Sequence, residues 1–232
     1  MITLRKANAR GLSKIDWLDS RHSFSFADYS DRAHMGFRQL RVINEDRVQP
    51  GNGFPTHSHR DMEIISYVLE GALEHRDSLG NGSIIRPGEV QRMSAGRGIT
   101  HSEFNPSGEE LLHFLQIWII PEQTGIPPGY EQQAIDLSAA RRNFHPIASR
   151  AGGPGQVRLH QDATMSVAFL ESGETLLQRL VTRRYAWLQL TRGSVALNGH
   201  DLGAGDGAAI EAESELTIAA HDSCEILLFD LA

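Results

Sequence analysis

The sequence has little cysteine, no long apolar run and no concentration of positive charge. Cys224 is the one cysteine among 232 residues, so an intrachain disulfide is excluded and a cysteine-rich zinc site is disfavoured. The longest apolar run, Leu111–Ile120, contains a histidine and a glutamine and is too short to span a bilayer. A formal net charge of −7 with no basic stripe disfavours direct nucleic-acid binding. We therefore expect a soluble, cytoplasmic protein that binds neither nucleic acid nor membrane.

Helical periodicity is also scarce. The chain instead contains short runs of β-branched and aromatic residues, such as "EIISYVLE", "EVQRMSA" and "LLHFLQIWII". Turn sequences such as "LGNG" and "RPGE" separate these runs, and the 22 glycines suit many tight turns. Strands at this spacing predict an all-β sandwich or barrel rather than βαβ units.

Two stretches of the chain share a similar order of strands and turns. The first half contains "YVLEGALEHRDSLGNGSIIRPGEVQRMSAG". The second half repeats its order of strands and turns in "LQLTRGSVALNGHDLGAGDGAAIEAE". Between them lies "PEQTGIPPGYEQQAIDLS", which is rich in proline and glycine and lacks the apolar pattern of a strand. This arrangement predicts two β-barrels of similar plan.

The first candidate motif for chemistry is "FPTHSHRDMEIISYVLEG". Side chains on a strand alternate between two faces, so His57 and His59 are expected on one face, and Glu63 shares their parity. Neutral imidazoles are common ligands of transition metals, and a carboxylate lowers the net charge of such a site. Alone, a His-x-His pair is a weak signal, because most such pairs are ordinary surface residues.

A second motif, "AGRGITHSEFN", strengthens the metal hypothesis. His101 and Glu103 repeat the spacing of two residues at the start of another strand. Three histidines and one carboxylate from two neighbouring strands would fill four positions of an octahedral ion and leave two positions open. Spacing alone leaves open whether Glu63 or Glu103 is the carboxylate.

The remaining histidines and aromatic residues have ordinary structural explanations. His75 and His113 lie within strand patterns and are expected to be packed or exposed residues rather than ligands, and His160 is expected to have little functional weight. An N-terminal segment with His22 and His34 could line the mouth of a pocket, although packing explains it equally well. Four aromatic residues could wall a cavity for a planar ligand, although aromatic residues on strands most often belong to the core: Phe24, Phe26, Phe37 and Phe54.

The two motifs, together with "HSFSFADYSDRAHMGFRQLRVINEDRV" and "EHRDSLGN", resemble the pirin family of the cupin superfamily. The likeness is strong over residues 17–121 and weaker beyond. It implies a bicupin fold of two double-stranded β-helix barrels. Residues 1–134 would form a metal-binding barrel, and residues 135–232 a degenerate one.

The resemblance also implies a ligand set. His57, His59, His101 and Glu103 would hold one divalent cation, with iron(II) expected and nickel, copper, manganese, cobalt or zinc as alternatives. The spacing from Glu63 to Gly71 is one residue longer than the usual cupin pattern. We therefore expect Glu103 to be the ligand and Glu63 to orient an imidazole.

The activity implied by the resemblance is that of a quercetin 2,3-dioxygenase. Such an enzyme would open the flavonol ring of a quercetin-like substrate with dioxygen and release carbon monoxide, and Glu103 would relay the proton. An alternative is a metal-dependent redox sensor that regulates a protein partner without turnover. A Lewis-acid isomerase or hydrolase is a weaker alternative on the same scaffold.

Overall fold

A computed structural model describes residues 1–232, and nearly all of its regular structure is β. It contains twenty-two strands and one 3₁₀ helix, Ala7–Ala9. The all-β prediction is therefore confirmed. No helix has the length and apolar character required to cross a membrane.

The chain divides into two compact units. The first, here called the site unit, comprises Gly11–Ile135 and Arg150–Gln161. Its strands are β2 (Gly11–Ile15), β3 (Leu18–His22), β4 (Leu40–Val48), β5 (Gly53–His59), β6 (Glu63–Glu70), β7 (Leu73–Asp77), β8 (Gly82–Ile85), β9 (Glu89–Ser94), β10 (Ile99–Phe104), β11 (Leu112–Ile119), β12 (Gly129–Ala134) and β14 (Val157–Arg158).

The site unit is built from two antiparallel sheets. A seven-stranded sheet has the order β12-β9-β6-β11-β4-β3-β2, and a four-stranded sheet has the order β5-β10-β7-β8. Neither sheet shares a hydrogen-bonded ladder with the other, so the barrel is a sandwich of two sheets rather than a closed cylinder.

An apolar plug joins these two sheets at one end of the site unit. It consists of six buried residues drawn from both sheets: Val48, Val68, Leu73, Ile85, Leu112 and Phe114. Trp17, Leu18 and Phe54 pack against it. Burial of these side chains provides the hydrophobic contribution that holds the two sheets together.

The second unit comprises Met1–Arg10, Asp136–Ser149 and Asp162–Ala232. Its strands are β1 (Ile2–Arg5), β13 (His145–Ser149), β15 (Ala163–Leu170), β16 (Thr175–Arg179), β17 (Tyr185–Arg192), β18 (Ser194–Leu197), β19 (His200–Gly203), β20 (Gly207–Ile210), β21 (Glu215–Ala220) and β22 (Cys224–Leu231). Within this unit, the strands of one sheet follow the order β1-β20-β17-β22-β15-β13, and those of the other follow the order β16-β21-β18-β19.

The interior of the second unit is almost wholly apolar. Residues of both sheets, including Leu188 and Ile218, form one buried cluster with no histidine in it. Each unit thus repeats the plan of one longer and one four-stranded antiparallel sheet, as predicted for a bicupin.

The sequence-based division into residues 1–134 and 135–232 stays a prediction. The chain passes from the site unit to the second unit between Ile135 and Asp136. Residues Met1–Arg10 belong to the second unit, where β1 pairs with β20.

A close backbone approach at Gly53 positions β5 against β10. A Cβ atom at Gly53 would lie 2.2 Å from the carbonyl oxygen of Glu103, so no other residue fits there without displacing a strand. We expect Gly53→Ala to lower the free energy of unfolding by about 2 kcal/mol or more, because most of the strain falls on backbone atoms.

Gly82, at the start of β8, provides the matched control, because a Cβ atom there has no neighbour within 4 Å. Gly82→Ala is expected to change the free energy of unfolding by less than about 0.5 kcal/mol. Urea denaturation measures both variants, and equal stabilities would contradict the proposed role of Gly53.

Candidate metal centre

The two histidine motifs lie on adjacent strands of the four-stranded sheet. His57 and His59 are on β5, and His101 and Glu103 are on β10. The strands are antiparallel, with His101 directly opposite His57. Directly opposed residues have closely spaced Cβ atoms, so this register brings the two motifs together. An irregularity between His101 and Glu103 shifts the pairing by one residue.

Three imidazoles form a compact cluster, here called the triad: His57, His59 and His101. Their ring centroids are 4.5 to 4.9 Å apart. One nitrogen from each ring lies within 4.8 Å of the others. His57 Nε2 and His101 Nε2 are 3.1 Å apart.

The protonation of the triad suits a cation. His57 Nδ1 donates a hydrogen bond to the carbonyl oxygen of Pro55 at 2.8 Å, and its Nε2 faces His101. Burial, followed by the neighbouring imidazoles, lowers the pKa of His59 to about 4 and that of His101 to about 3. Both rings are therefore neutral near pH 7, with lone pairs available for a metal ion.

An unpartnered atom gives a further test of whether these residues suit a metal ion. His101 Nδ1 is buried and has no hydrogen-bond partner, while its Nε2 faces another imidazole nitrogen. Convergent nitrogen atoms of neutral rings are poor partners for each other and good ligands for a transition metal. The residues present therefore fit a divalent cation.

Glu103 is buried beside His101. Its Oε1 accepts a hydrogen bond from Ser66 Oγ at 3.1 Å, and its Oε2 accepts one from Gln116 Nε2 at 2.7 Å. One carboxylate oxygen lies within 4.8 Å of ligand nitrogens of His75 and His101. Potential ligand atoms therefore form two groups that share His101. One group contains His57 and His59, and the other contains His75 and Glu103.

His75 is the residue at this centre that sequence reasoning missed. It is fully buried on β7, opposite Glu103, with its ring centroid 5.4 Å from that of His101. Its Nε2 donates to Asp77 Oδ2 at 3.2 Å, and its Nδ1 has no partner. The available signal was the alternation of His75 and Asp77 in "ALEHRDS", which places both side chains on one face of a strand.

Glu63 occupies a different environment from Glu103. Its side chain is fully buried at the start of β6, and its Oε2 accepts a hydrogen bond from the backbone N–H of His160 at 3.1 Å. The same oxygen is 3.2 Å from His160 Nδ1. Glu63 therefore contacts an imidazole, but that imidazole is His160 rather than a member of the triad.

A cavity of about 420 Å³ opens beside the triad. Its apolar walls include Leu18, Phe26, Phe54 and Trp118, and its lining includes His57, His59 and Glu103. Two of the four aromatic residues singled out in the sequence, Phe26 and Phe54, line this cavity. Phe24 is instead buried in the core, and Phe37 lies elsewhere, pairing with Leu40. His22 also lines the cavity, whereas His34 pairs with Asp31.

Polar side chains form rows across the seven-stranded sheet on the cavity side. Pairing between strands places Ser66, Gln116, Asn44 and His22 in one row. The next row contains Asp46 and Ser20, with Phe114 of the apolar plug beside Asp46. His22 Nδ1 lies 2.8 Å from Asn44 Oδ1, and His22 Nε2 lies 2.9 Å from Ser13 Oγ. Buried polar rows are costly in a barrel interior unless they are hydrogen-bonded, so this face differs from an ordinary core.

Asp46 is the most strongly perturbed carboxyl on this face. Burial, followed by the nearby charges of Glu103 and Glu45, raises its pKa to about 7, and a hydrogen bond from Ser20 opposes the shift. The folded protein therefore holds this proton more tightly than the unfolded chain does.

The raised pKa of Asp46 predicts a pH-dependent stability. Between the unfolded pKa of 3.8 and the folded value of about 7, the folded state binds more protons, so its free energy of unfolding falls as pH rises. We expect Asp46→Asn to gain stability relative to wild type as pH rises, up to about 4 kcal/mol above pH 7. Urea denaturation of metal-free protein between about pH 5 and pH 8 measures the difference.

Asp19→Asn provides a control of opposite sign. Partial burial of Asp19 is outweighed by Arg21 and Lys14, so the pKa of its carboxyl is lowered. That carboxyl stabilises the fold above its unfolded pKa of 3.8, and its loss does not help at high pH. If the free energies of unfolding of Asp46→Asn and wild type differed by the same amount at every pH, the raised pKa of Asp46 would be contradicted.

Comparisons with known proteins match both halves of the chain. A family model described as Pirin matches residues 4–119, and a model described as the quercetinase C-terminal cupin domain matches residues 146–231. The chain is 47% identical to the quercetin 2,3-dioxygenase of Escherichia coli strain K12, over 100% of this chain and 99% of that protein.

Solved structures show the same fold. The bacterial pirin YhhW of Escherichia coli in complex with nickel(II) matches with a TM-score of 0.94 and 47% identity, covering 100% of this chain and 99% of that one. A quercetin 2,3-dioxygenase of Acinetobacter baumannii matches with a TM-score of 0.75 and 20% identity, covering 98% of this chain and 85% of that one. The second match bears on the fold alone.

Proposed function

The chain belongs to the pirin family, and from that premise we propose that it is a metal-dependent dioxygenase of quercetin-like flavonols. The observation that carries the proposal is the triad of imidazoles at the wall of an apolar cavity. The name of the 47% identical Escherichia coli relative supports the substrate class.

We propose His57, His59, His101 and Glu103 as the ligands of one divalent cation. The cluster of the three imidazole nitrogens and the position of Glu103 beside His101 support this set. Iron(II) is the expected ion, because open positions beside histidine and carboxylate ligands are typical of oxygen-using iron sites. Imidazole and carboxylate ligands also accept nickel, copper, manganese, cobalt and zinc.

The cavity suits a flat aromatic substrate. Its volume of about 420 Å³ lies within the usual range for small-molecule sites. Phe26, Phe54 and Trp118 offer aromatic surface, and the polar row on the seven-stranded sheet offers hydrogen bonds to ring oxygens.

The reaction we propose consumes one flavonol and one dioxygen, and yields one ring-opened ester and one carbon monoxide. When bound, the cation would favour the deprotonated flavonol, because a metal ion lowers the pKa of an oxygen bound to it. Glu103 would accept the proton of the flavonol hydroxyl at a carboxylate oxygen.

The surrounding residues assist this step by fixing positions. Ser66 and Gln116 each donate a hydrogen bond to Glu103, which holds its carboxylate in one orientation. Trp118 lies edge-on to His59, with ring centroids 4.9 Å apart, and covers that imidazole with apolar surface. The aromatic walls also limit the access of water to the substrate.

Turnover of a flavonol tests the activity. We expect metal-loaded protein given quercetin to consume dioxygen and release carbon monoxide in equal amounts. His59→Ala is expected to lower the rate by about 100-fold or more, because it removes a ligand rather than an outer contact. His200→Ala, at an exposed position in the second unit, serves as the control and should keep the wild-type rate. Stoichiometric metal without dioxygen uptake would instead favour the regulatory hypothesis.

A paired substitution tests the choice of carboxylate ligand. Glu103→Gln is expected to weaken metal binding by about 10- to 100-fold, whereas Glu63→Gln should change it by less than roughly threefold. Competition with a chromogenic chelator measures both affinities without any need for turnover. An equal loss in the two variants would contradict the assignment of Glu103 as the ligand.

A further inference from the structure

Three buried polar atoms in the cavity wall lack a hydrogen-bond partner. They are Asp46 Oδ1, Gln116 Oε1 and Trp118 Nε1, and each belongs to a residue that lines the cavity. Buried polar atoms are nearly always paired in folded proteins, because an unmade hydrogen bond costs free energy. Together they offer hydrogen-bonding capacity to a ligand on one wall of the cavity.

The register of the seven-stranded sheet orders these three residues by depth. On β11, Trp118 lies opposite Val42, Gln116 opposite Asn44, and Phe114 opposite Asp46. Trp118 contacts His59 of the triad, and Gln116 donates to Glu103, so those two rows lie at the level of the metal ligands. Asp46 lies one row further along β4, about 7 Å beyond Asn44.

The next row beyond Asp46 closes the cavity. It consists of Leu112, Val48 and Leu18, which belong to the apolar plug or pack against it. Asp46 is therefore the carboxyl nearest the closed end, and it is only 4% exposed. Ser20 occupies part of its hydrogen-bonding capacity, and Oδ1 is left without a partner.

We propose that Asp46 is a specificity-determining residue, whose carboxyl binds a phenolic hydroxyl on the substrate ring that enters the cavity deepest. The proposal rests on the proposed flavonol dioxygenase function and adds a requirement to it. A flavonol with a hydroxyl at its inner edge satisfies Asp46 Oδ1. A flavonol without one leaves that oxygen buried and unpaired, and a site built to bind a hydroxyl discriminates strongly against such an analogue.

Equilibrium binding to the metal-loaded protein without dioxygen tests the proposal. Three probes are compared: the parent flavonol, whose single hydroxyl is the one next to the carbonyl; galangin, with added hydroxyls on the fused ring; and quercetin, with further hydroxyls on the pendant ring. Wild type is expected to bind at least one hydroxylated probe about 10-fold or more tightly than the parent flavonol. The probe at which the gain occurs identifies the ring that faces Asp46.

Two substitutions at Asp46 separate hydrogen bonding from shape. The affinity ratio is the affinity for the hydroxylated probe divided by that for the parent flavonol. Asp46→Leu is expected to reduce this ratio to about twofold or less, because it weakens binding of the hydroxylated probe. Asp46→Asn should retain most of the ratio, because the amide still bonds a hydroxyl. Arg47→Leu is the matched control, because Arg47 is the next residue on β4 and pairs with Glu45 away from the cavity. It should keep the wild-type ratio.

The outcomes distinguish this proposal from the proposed function. An unchanged ratio in Asp46→Leu, or equal affinities of wild type for all three probes, would overturn the role of Asp46 alone. The second comparison uses wild type only, so it holds even if Asp46→Leu fails to fold. The expected ratios without any dioxygen uptake would support Asp46 and overturn the dioxygenase. Failure of wild type to bind any probe would overturn both.

Discussion

The pairing of β5 with β10 is the constraint on which the rest of the site depends. The two strands place His57 opposite His101, and the absence of a side chain at Gly53 allows the close approach of their backbones. A slip of one residue would turn every side chain of a strand to the other face and disperse the imidazoles. In the observed register, burial keeps the pKa values of His59 and His101 low, so that both rings are neutral and can bind a metal ion instead of being mutually repelling cations.

The two units use one sheet plan for different interiors. In the second unit, an apolar cluster that includes Leu188, Val195 and Ile218 fills the space between the sheets. The site unit has its plug at one end and a smaller apolar cluster around Met93, and polar rows and aromatic walls line its cavity. A filled interior contributes hydrophobic stabilisation, whereas an open one gives up part of it to hold a ligand. Both candidate metal motifs lie in the unit that contains the cavity.

Three buried carboxyls of the site unit differ because their neighbours differ. Glu103 accepts hydrogen bonds from Ser66 and Gln116 beside the triad, which suits a ligand. Glu63 is held by His160, away from the cavity. Asp46 lies at the closed end, where burial and like charge raise its pKa to about 7. Residue type alone would predict similar behaviour for the three carboxyls. Their different neighbours give each of them a different environment.

The sequence by itself determined the all-β class and the two motifs on strands, because alternation with period two and turn residues act over a few positions. From the sequence, Phe24, Phe26, Phe37 and Phe54 were equal candidates for the walls of a cavity, and only Phe26 and Phe54 line it. Only the tertiary structure brought His75 to the candidate metal centre, placed Asp46 at the closed end and paired β1 with β20. Those outcomes depend on which distant strands pair and in which register, and that is set by long-range packing rather than by any local pattern.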